Sequence, residues 1–218
     1  MPGRYYPYIS REIWILLSIL FLAGVLTYHF YSLFFTLPIW LLISILAYYY
    51  RDPERLVPSQ PLAVVSPVDA TVTGIDTVPN PYIEGEAIRI ELKMSHVDIF
   101  RVRSPIEGKV INGWFLLPGD PLPLQQGPVG SLRLSHWIQT DEGDSIVLTI
   151  RKISRLFRPR CDIQTGERIG QGQRCGIIEF GAMVDVYVPV NSRLEIILGD
   201  KVKSGSNVLA QLQHSDKQ

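Results

Sequence analysis

The sequence predicts a mainly β domain preceded by a two-helix transmembrane hairpin, and three observations carry that reading. From Ile13 to Tyr50 there is no Asp, Glu, Lys or Arg. Directly afterwards Arg51-Asp52-Pro53-Glu54-Arg55 is dense in charge, and prolines recur at Pro58 and Pro61. Beyond that point runs rich in Val and Ile are punctuated at short intervals by Gly, Pro and Asp, the pattern of strands and turns.

Composition narrows the partners. Lys+Arg 21 balances Asp+Glu 21, so no net field favours nucleic acid, and no nucleic-acid partner is expected. Cys161 and Cys175 form no C-x-x-C pair and read as reduced thiols. His29, His96, His136 and His214 have no metal-ligand spacing, so no metal is expected.

The uncharged N-terminal run is 38 residues long. As helix it would rise about 57 Å, close to two crossings of a hydrocarbon core of about 30 Å. It divides into helices at about 13–31 and 32–50, with the turn between Tyr28 and Pro38. Arg4 and Arg11 precede the first helix, Arg51 and Arg55 follow the second, and the turn carries no positive charge. The positive-inside bias therefore sets both termini and the β domain in the cytoplasm, at the cell (inner) membrane. A cleaved signal peptide is the rival reading. The apolar run is too long for one, and no small-x-small cleavage site follows it. Core helices of a soluble protein fit less well, since neither segment has a polar face. The expected boundaries are a membrane anchor at 1–50, a linker at 51–61 and a β domain at 62–218.

Strand-like runs follow in order: AVVSPVDATVTGI, AIRIELKMSHVDIFRV, SIVLTIRKI, RCGIIEF, DVYVPV and RLEIIL. Two internal echoes stand out. Ser66-Pro67-Val68-Asp69-Ala70-Thr71-Val72 returns as Ser104-Pro105-Ile106-Glu107-Gly108-Lys109-Val110, and Gly166-Glu167-Arg168-Ile169-x-x-Gly172 returns as Gly199-Asp200-Lys201-Val202-x-x-Gly205. Two copies are too few for a solenoid. Near the end, Val184, Val186 and Val188 fall on one strand face and Asp185 and Tyr187 on the other, and Gly181 before them marks a bulge or bend.

Several motifs resemble the short prokaryotic phosphatidylserine decarboxylases. They are YYRDPER, VVSPVDA, SHVDIFRVRSPIEGKV, GERIGQGQRCGIIEFGAMVDVYVP and LGDKVKSGSNVLA, spanning about Tyr49 to Leu212 in the family's order. The resemblance implies a sandwiched hybrid β-barrel related to the biotinyl and lipoyl carriers. A carrier itself would need a lysine at an exposed hairpin tip within M-K-M, and Lys93-Met94 is only half of that.

What the resemblance implies for chemistry is specific. The family cuts its own chain: a serine hydroxyl attacks the preceding glycine carbonyl, and the new terminus becomes a covalent pyruvoyl cofactor that decarboxylates phosphatidylserine. By the family's pattern the carboxylate of the cutting triad is Asp69, the base histidine falls at Phe100, and the cut falls between Gly181 and Ala182, where the family has serine. A methyl group cannot attack a carbonyl and phenylalanine cannot carry a proton, so no cofactor is expected here.

Other groups are weighed as replacements. His96 lies four residues before Phe100, about 13 Å along a straight strand, and reads as a surface or satisfied histidine. Cys175 and Ser206 are the remaining candidate nucleophiles, Ser206 lying in a turn where a small polar residue belongs. Two functions therefore compete: a membrane-anchored pseudoenzyme of phospholipid metabolism, and an active decarboxylase with an unrecognised nucleophile. For the first, the expected partners are the phospholipid membrane and an aminophospholipid headgroup, with Asp69 meeting its ammonium and Arg101 and Arg103 its phosphate. Homo-oligomer formation stays open.

Overall fold

The computed structural model describes residues 9, 13–30, 33–60, 62–96, 98–124, 129–152 and 158–213. Arg4 and Arg11, on which half of the expected orientation rests, and His214 lie outside them. Two compact units result, Met1–Glu54 and Arg55–Gln218.

The first unit is a helical pair, α1 (Trp14–Phe30) and α2 (Leu33–Tyr49). Gly24 brings the helices together, since a Cβ there would already touch Ile39 and Trp40 at 3.5 and 3.6 Å. Phe21 meets Trp40 edge-on, ring centroids 5.4 Å apart. Arg51 closes the pair, its guanidinium 4.0 Å from the centre of the Tyr48 ring. Each helix has 17 residues, a rise of about 25 Å. Among the described residues, no helix is long and apolar enough to cross a membrane. The two helices fall within the expected spans of 13–31 and 32–50, whose Tyr31 and Ser32 lie outside the described residues.

The second unit is β throughout its described length. An eight-stranded, curled antiparallel sheet runs in the order β13 (Lys201–Val202), β2 (Ala70–Pro79), β3 (Glu86–Lys93), β11 (Met183–Pro189), β7 (Ser145–Lys152), β6 (Leu132–Gln139), β5 (Gly108–Leu116), β9 (Arg168–Ile169). Two three-stranded sheets complete it: β1 (Ala63–Val65), β14 (Val208–Gln211) and β12 (Arg193–Leu194); and β4 (Arg101–Arg103), β10 (Arg174–Ile177) and β8 (Arg160–Cys161). All three sheets contribute to one core, with Val64, Val102, Ile90, Leu148, Val186 and Leu209 among its members. The Val184/Val186/Val188 face joins this core, while Tyr187 packs with Tyr82 and Val147 in a smaller cluster. Strand β6 carries Ser, His and Trp amid its aliphatics and was not among the runs read as strands; pairing with β5 and β7 makes it one.

The two echoes become two copies of one arrangement. Ser66 and Ser104 each donate Oγ–H to the carbonyl two residues on, both at 2.7 Å. Val72 N–H bonds Asp200 O, as Val110 N–H bonds Glu167 O, both at 2.9 Å. Gly205 N–H reaches Ser66 O at 2.7 Å, as Gly172 N–H reaches Ser104 O at 2.9 Å. The copies clasp each other through Val65 N–H to Pro105 O and Arg103 N–H to Pro67 O. Each S-P motif thus seats one glycine turn, and the repeats bind crosswise at the centre of the unit.

Candidate functional site

Strand β10 ends at Ile177 and β11 begins at Met183; between them Phe180 and Gly181 both adopt left-handed backbone, φ 58° and 75°. Glycine takes that conformation at no steric cost, whereas phenylalanine holds about 1 kcal/mol or more of strain. Gly181 is also crowded, since a Cβ there would lie 3.3 Å from Met94 O and 3.4 Å from His96 Nδ1. The Gly181–Ala182 bond therefore sits at the tip of a strained, tightly backed turn.

Register explains what backs it. Met183 pairs with Lys93 across β11 and β3, and one step further Met94 N–H donates to Ala182 O at 3.0 Å. The chain then turns, with Ser95 N–H on Asp98 Oδ2 at 2.6 Å and Asp98 N–H on Ser95 O at 3.3 Å. His96 is left facing Phe180, its Nδ1 2.8 Å from that carbonyl oxygen. His96 is exposed and bonded, as expected of a surface or satisfied histidine, but it does not continue a straight strand: β3 ends at Lys93 and the turn carries His96 to the loop. Phe100 arrives at the same residue, its carbonyl accepting from Ile178 N–H at 2.7 Å and its ring 5.5 Å from the Phe180 ring.

A cavity of about 380 Å³ opens beside Ala182. Met94, Phe180, Ala182 and Met183 line it together with Lys93, His96, Arg151 and Lys152, and no acidic side chain lines it. Arg151 is held from behind by Glu91 Oε2 at 2.5 Å and Asp185 Oδ1 at 2.8 Å. Burial pushes the Asp185 carboxyl up despite that contact. Lys152 is buried, donates Nζ–H to Glu179 O, and has its pKa lowered by burial.

The other expected residues lie elsewhere. Asp69 accepts two bonds from the Arg55 guanidinium, at 2.5 and 2.6 Å, and one from Ser204 N–H at 2.7 Å. It precedes β2, and β3 separates β2 from β11, so about 10 Å of sheet divides it from the loop. Its charge is already matched within the domain. Arg103 is buried, its Nη1 donating to Gly172 O at 3.2 Å and its stem packed under Gly205. It serves the junction of the two repeats rather than an exposed rim, which corrects the expected phosphate contact. Arg101 is half-buried on β4 opposite Ile177.

Of the candidate nucleophiles, Cys175 is buried, and hydrogen bonding to Cys161 together with burial raises its thiol well above the ordinary range. Ser206 closes a turn onto Lys203 O at 3.1 Å. A pyruvoyl group made from residue 182 needs that residue's own hydroxyl, and Ala182 does not fit.

The architecture is that of a mainly β protein organised about one strained internal turn with a cavity at its side. The chain belongs to the phosphatidylserine decarboxylase family, whose model matches residues 42–210. It is 34% identical to the phosphatidylserine decarboxylase proenzyme of Nitrosomonas europaea, over 97% of this chain and 99% of that one. The proenzymes of Burkholderia ambifaria and Burkholderia multivorans are 34% and 33% identical, each over 95% of this chain and 98% of theirs.

Sequence reasoning weighed His96 and set it aside, and it passed over Arg151 and Lys152. A signal was present for Arg151: Asp185 and Glu91 are acids inside apolar runs, and a buried acid calls for a cation.

Proposed function

We propose that this protein is a membrane-associated, phosphatidylserine-decarboxylase-like protein of phospholipid metabolism that does not cut itself and holds an aminophospholipid headgroup in the cavity beside Ala182. The observation that carries the reading is a methyl group at residue 182 beside a largely apolar cavity that Lys93 also lines. Phosphatidylserine carries a phosphate, a carboxylate and an ammonium, net negative, on two acyl chains, and an apolar cavity with a cation at its lining suits its chains and its anions. Lys93, exposed at the end of β3, replaces Arg101 and Arg103 as the proposed anion contact.

The helical pair supports membrane association. Ile15, Phe34, Leu41 and Leu22 are 60% exposed or more, and no charged side chain interrupts Ile13–Tyr50. Insertion as a hairpin with the β domain on the cytoplasmic face is the arrangement proposed. Three sheets closing on one core also support the sandwiched hybrid barrel.

Intact mass of the purified full-length protein tests the first half: one species near 24.7 kDa is expected, and any blocked fragment beginning near residue 182 overturns it. Titration of the detergent-solubilised protein with short-chain phosphatidylserine and phosphatidylcholine tests the second. Preference for phosphatidylserine that Lys93→Met abolishes is expected; equal affinity for both lipids defeats the reading.

A further inference from the structure

We infer that His96, and not position 100, is the general base that this fold presents to residue 182, so that the chain lacks only a hydroxyl to cut itself. The inference concerns a competence of the scaffold and stands apart from lipid binding by the natural chain.

The hydrogen bond to Phe180 decides the state of the ring. A carbonyl oxygen only accepts, so Nδ1, 2.8 Å from it, carries the proton. In the neutral imidazole Nε2 then holds the free lone pair. One nitrogen tied to an acceptor and the other left open is the arrangement a general base requires. Here a backbone carbonyl of the loop takes the orienting part that a carboxylate takes in a triad.

Position agrees. The ring lies against Gly181, Nδ1 being 3.4 Å from where a Cβ there would stand, and it lines the same cavity as Ala182. The turn keeps two consecutive left-handed residues at Phe180 and Gly181 although residue 182 has no hydroxyl. Position 100 offers a base much less. Phe100 is 2% exposed, and its ring lies tilted by 50° against the Phe180 ring. Arg151 is committed to Glu91 and Asp185, and Lys152 is a donor at Glu179 O.

With a serine hydroxyl supplied, His96 Nε2 takes the Oγ proton and Oγ adds to the Gly181 carbonyl carbon. The carbon–nitrogen bond to residue 182 breaks, the amine leaves with the proton returned by His96, and an ester joins the two parts. Loss of the Cα proton of residue 182 then expels Gly181 as a carboxylate. Water replaces the nitrogen of the resulting dehydroalanine, releasing ammonia. One water is consumed, one ammonia is released, and no oxidant or reductant is needed.

The test is intact mass over time of full-length Ala182→Ser, alone and combined with His96→Gln, His96→Gly or Phe100→His. Ala182→Ser should divide into residues 1–181 and a blocked 182–218. Adding His96→Gln should slow this by about 100-fold or more, the low end of general-base contributions. Free imidazole should restore cutting to Ala182→Ser/His96→Gly, an effect no merely structural role of the ring would show. Adding Phe100→His should not accelerate it. Thermal melts of His96→Gln in the natural background should match the parent, because His96 is exposed. An Ala182→Ser chain that stays whole, cutting that survives His96→Gln, or cutting only with Phe100→His overturns the inference. None of these outcomes bears on the lipid titration of the natural chain.

Discussion

His96 and Phe180 are joined across the strained loop by a 2.8 Å contact between Nδ1 and the carbonyl oxygen, although 84 residues separate them in the chain. The contact ties the end of β3 to the turn that precedes β11 and keeps the imidazole on the cavity wall. Phe180 also receives the Phe100 ring, so both histidine-relevant positions converge on one left-handed residue.

The Asp69–Arg55 pair should matter for stability and not for lipid binding. Asp69 is held by two guanidinium bonds and one backbone N–H, and charge-assisted bonds of this kind contribute about 2 kcal/mol when partly buried. Asp69→Asn should lower the melting temperature while leaving the phosphatidylserine titration unchanged. A selective loss of lipid affinity at unchanged stability would return Asp69 to the headgroup.

Arg151→Met should destabilise strongly. It strands Asp185, which is 1% exposed, and an unpaired buried carboxylate costs about 3–5 kcal/mol. Asp185 already has its pKa raised by burial, so its protonated form is the one the folded state favours as pH falls. The defect should therefore shrink between neutral and mildly acidic pH, and Arg151→Met/Asp185→Leu should recover part of the loss. Urea melts of the four variants in the cycle measure this; a simple sum of the two single losses would show that the groups are not coupled.

His136 makes the domain acid-sensitive. It is buried on β6 and burial pulls its pKa down to about 4, against about 6.5 in an unfolded chain. Between those values the unfolded chain binds the extra proton, so stability falls as pH drops from about 6.5 toward 4, by on the order of 3 kcal/mol in full. His136→Phe should flatten that part of the pH–stability curve. Parallel curves for parent and variant would show that the loss comes from other groups.

The cysteines should differ in reactivity. Cys175 is buried with a raised pKa, and Cys161 is half-buried beside it, so alkylation of the folded protein should mark Cys161 first. Cys175 should react only in denaturant. Equal labelling under native conditions would mean that β8 and β10 separate readily.

Much of this molecule was legible in the residues alone. A change from an uncharged run to a charged, proline-bearing one at Arg51 falls just before the division of the units between Glu54 and Arg55, because uncharged and charged runs suit different surroundings. The paired S-P and glycine-turn echoes encode the crosswise repeat, since each copy satisfies the same backbone groups locally. Ala182 excludes a hydroxyl nucleophile at residue 182 by its chemistry. Which groups surround that residue is a different kind of question. His96 reaches the loop only because β3 stops at Lys93 and the next turn reverses the chain; Asp69 is neutralised by Arg55; Arg103 is drawn under Gly205. Each depends on strand register and on pairings between distant segments. A one-residue change in pairing sends a side chain to the opposite face of a sheet, and spacing along a single strand carries no record of which register the partner strand imposes.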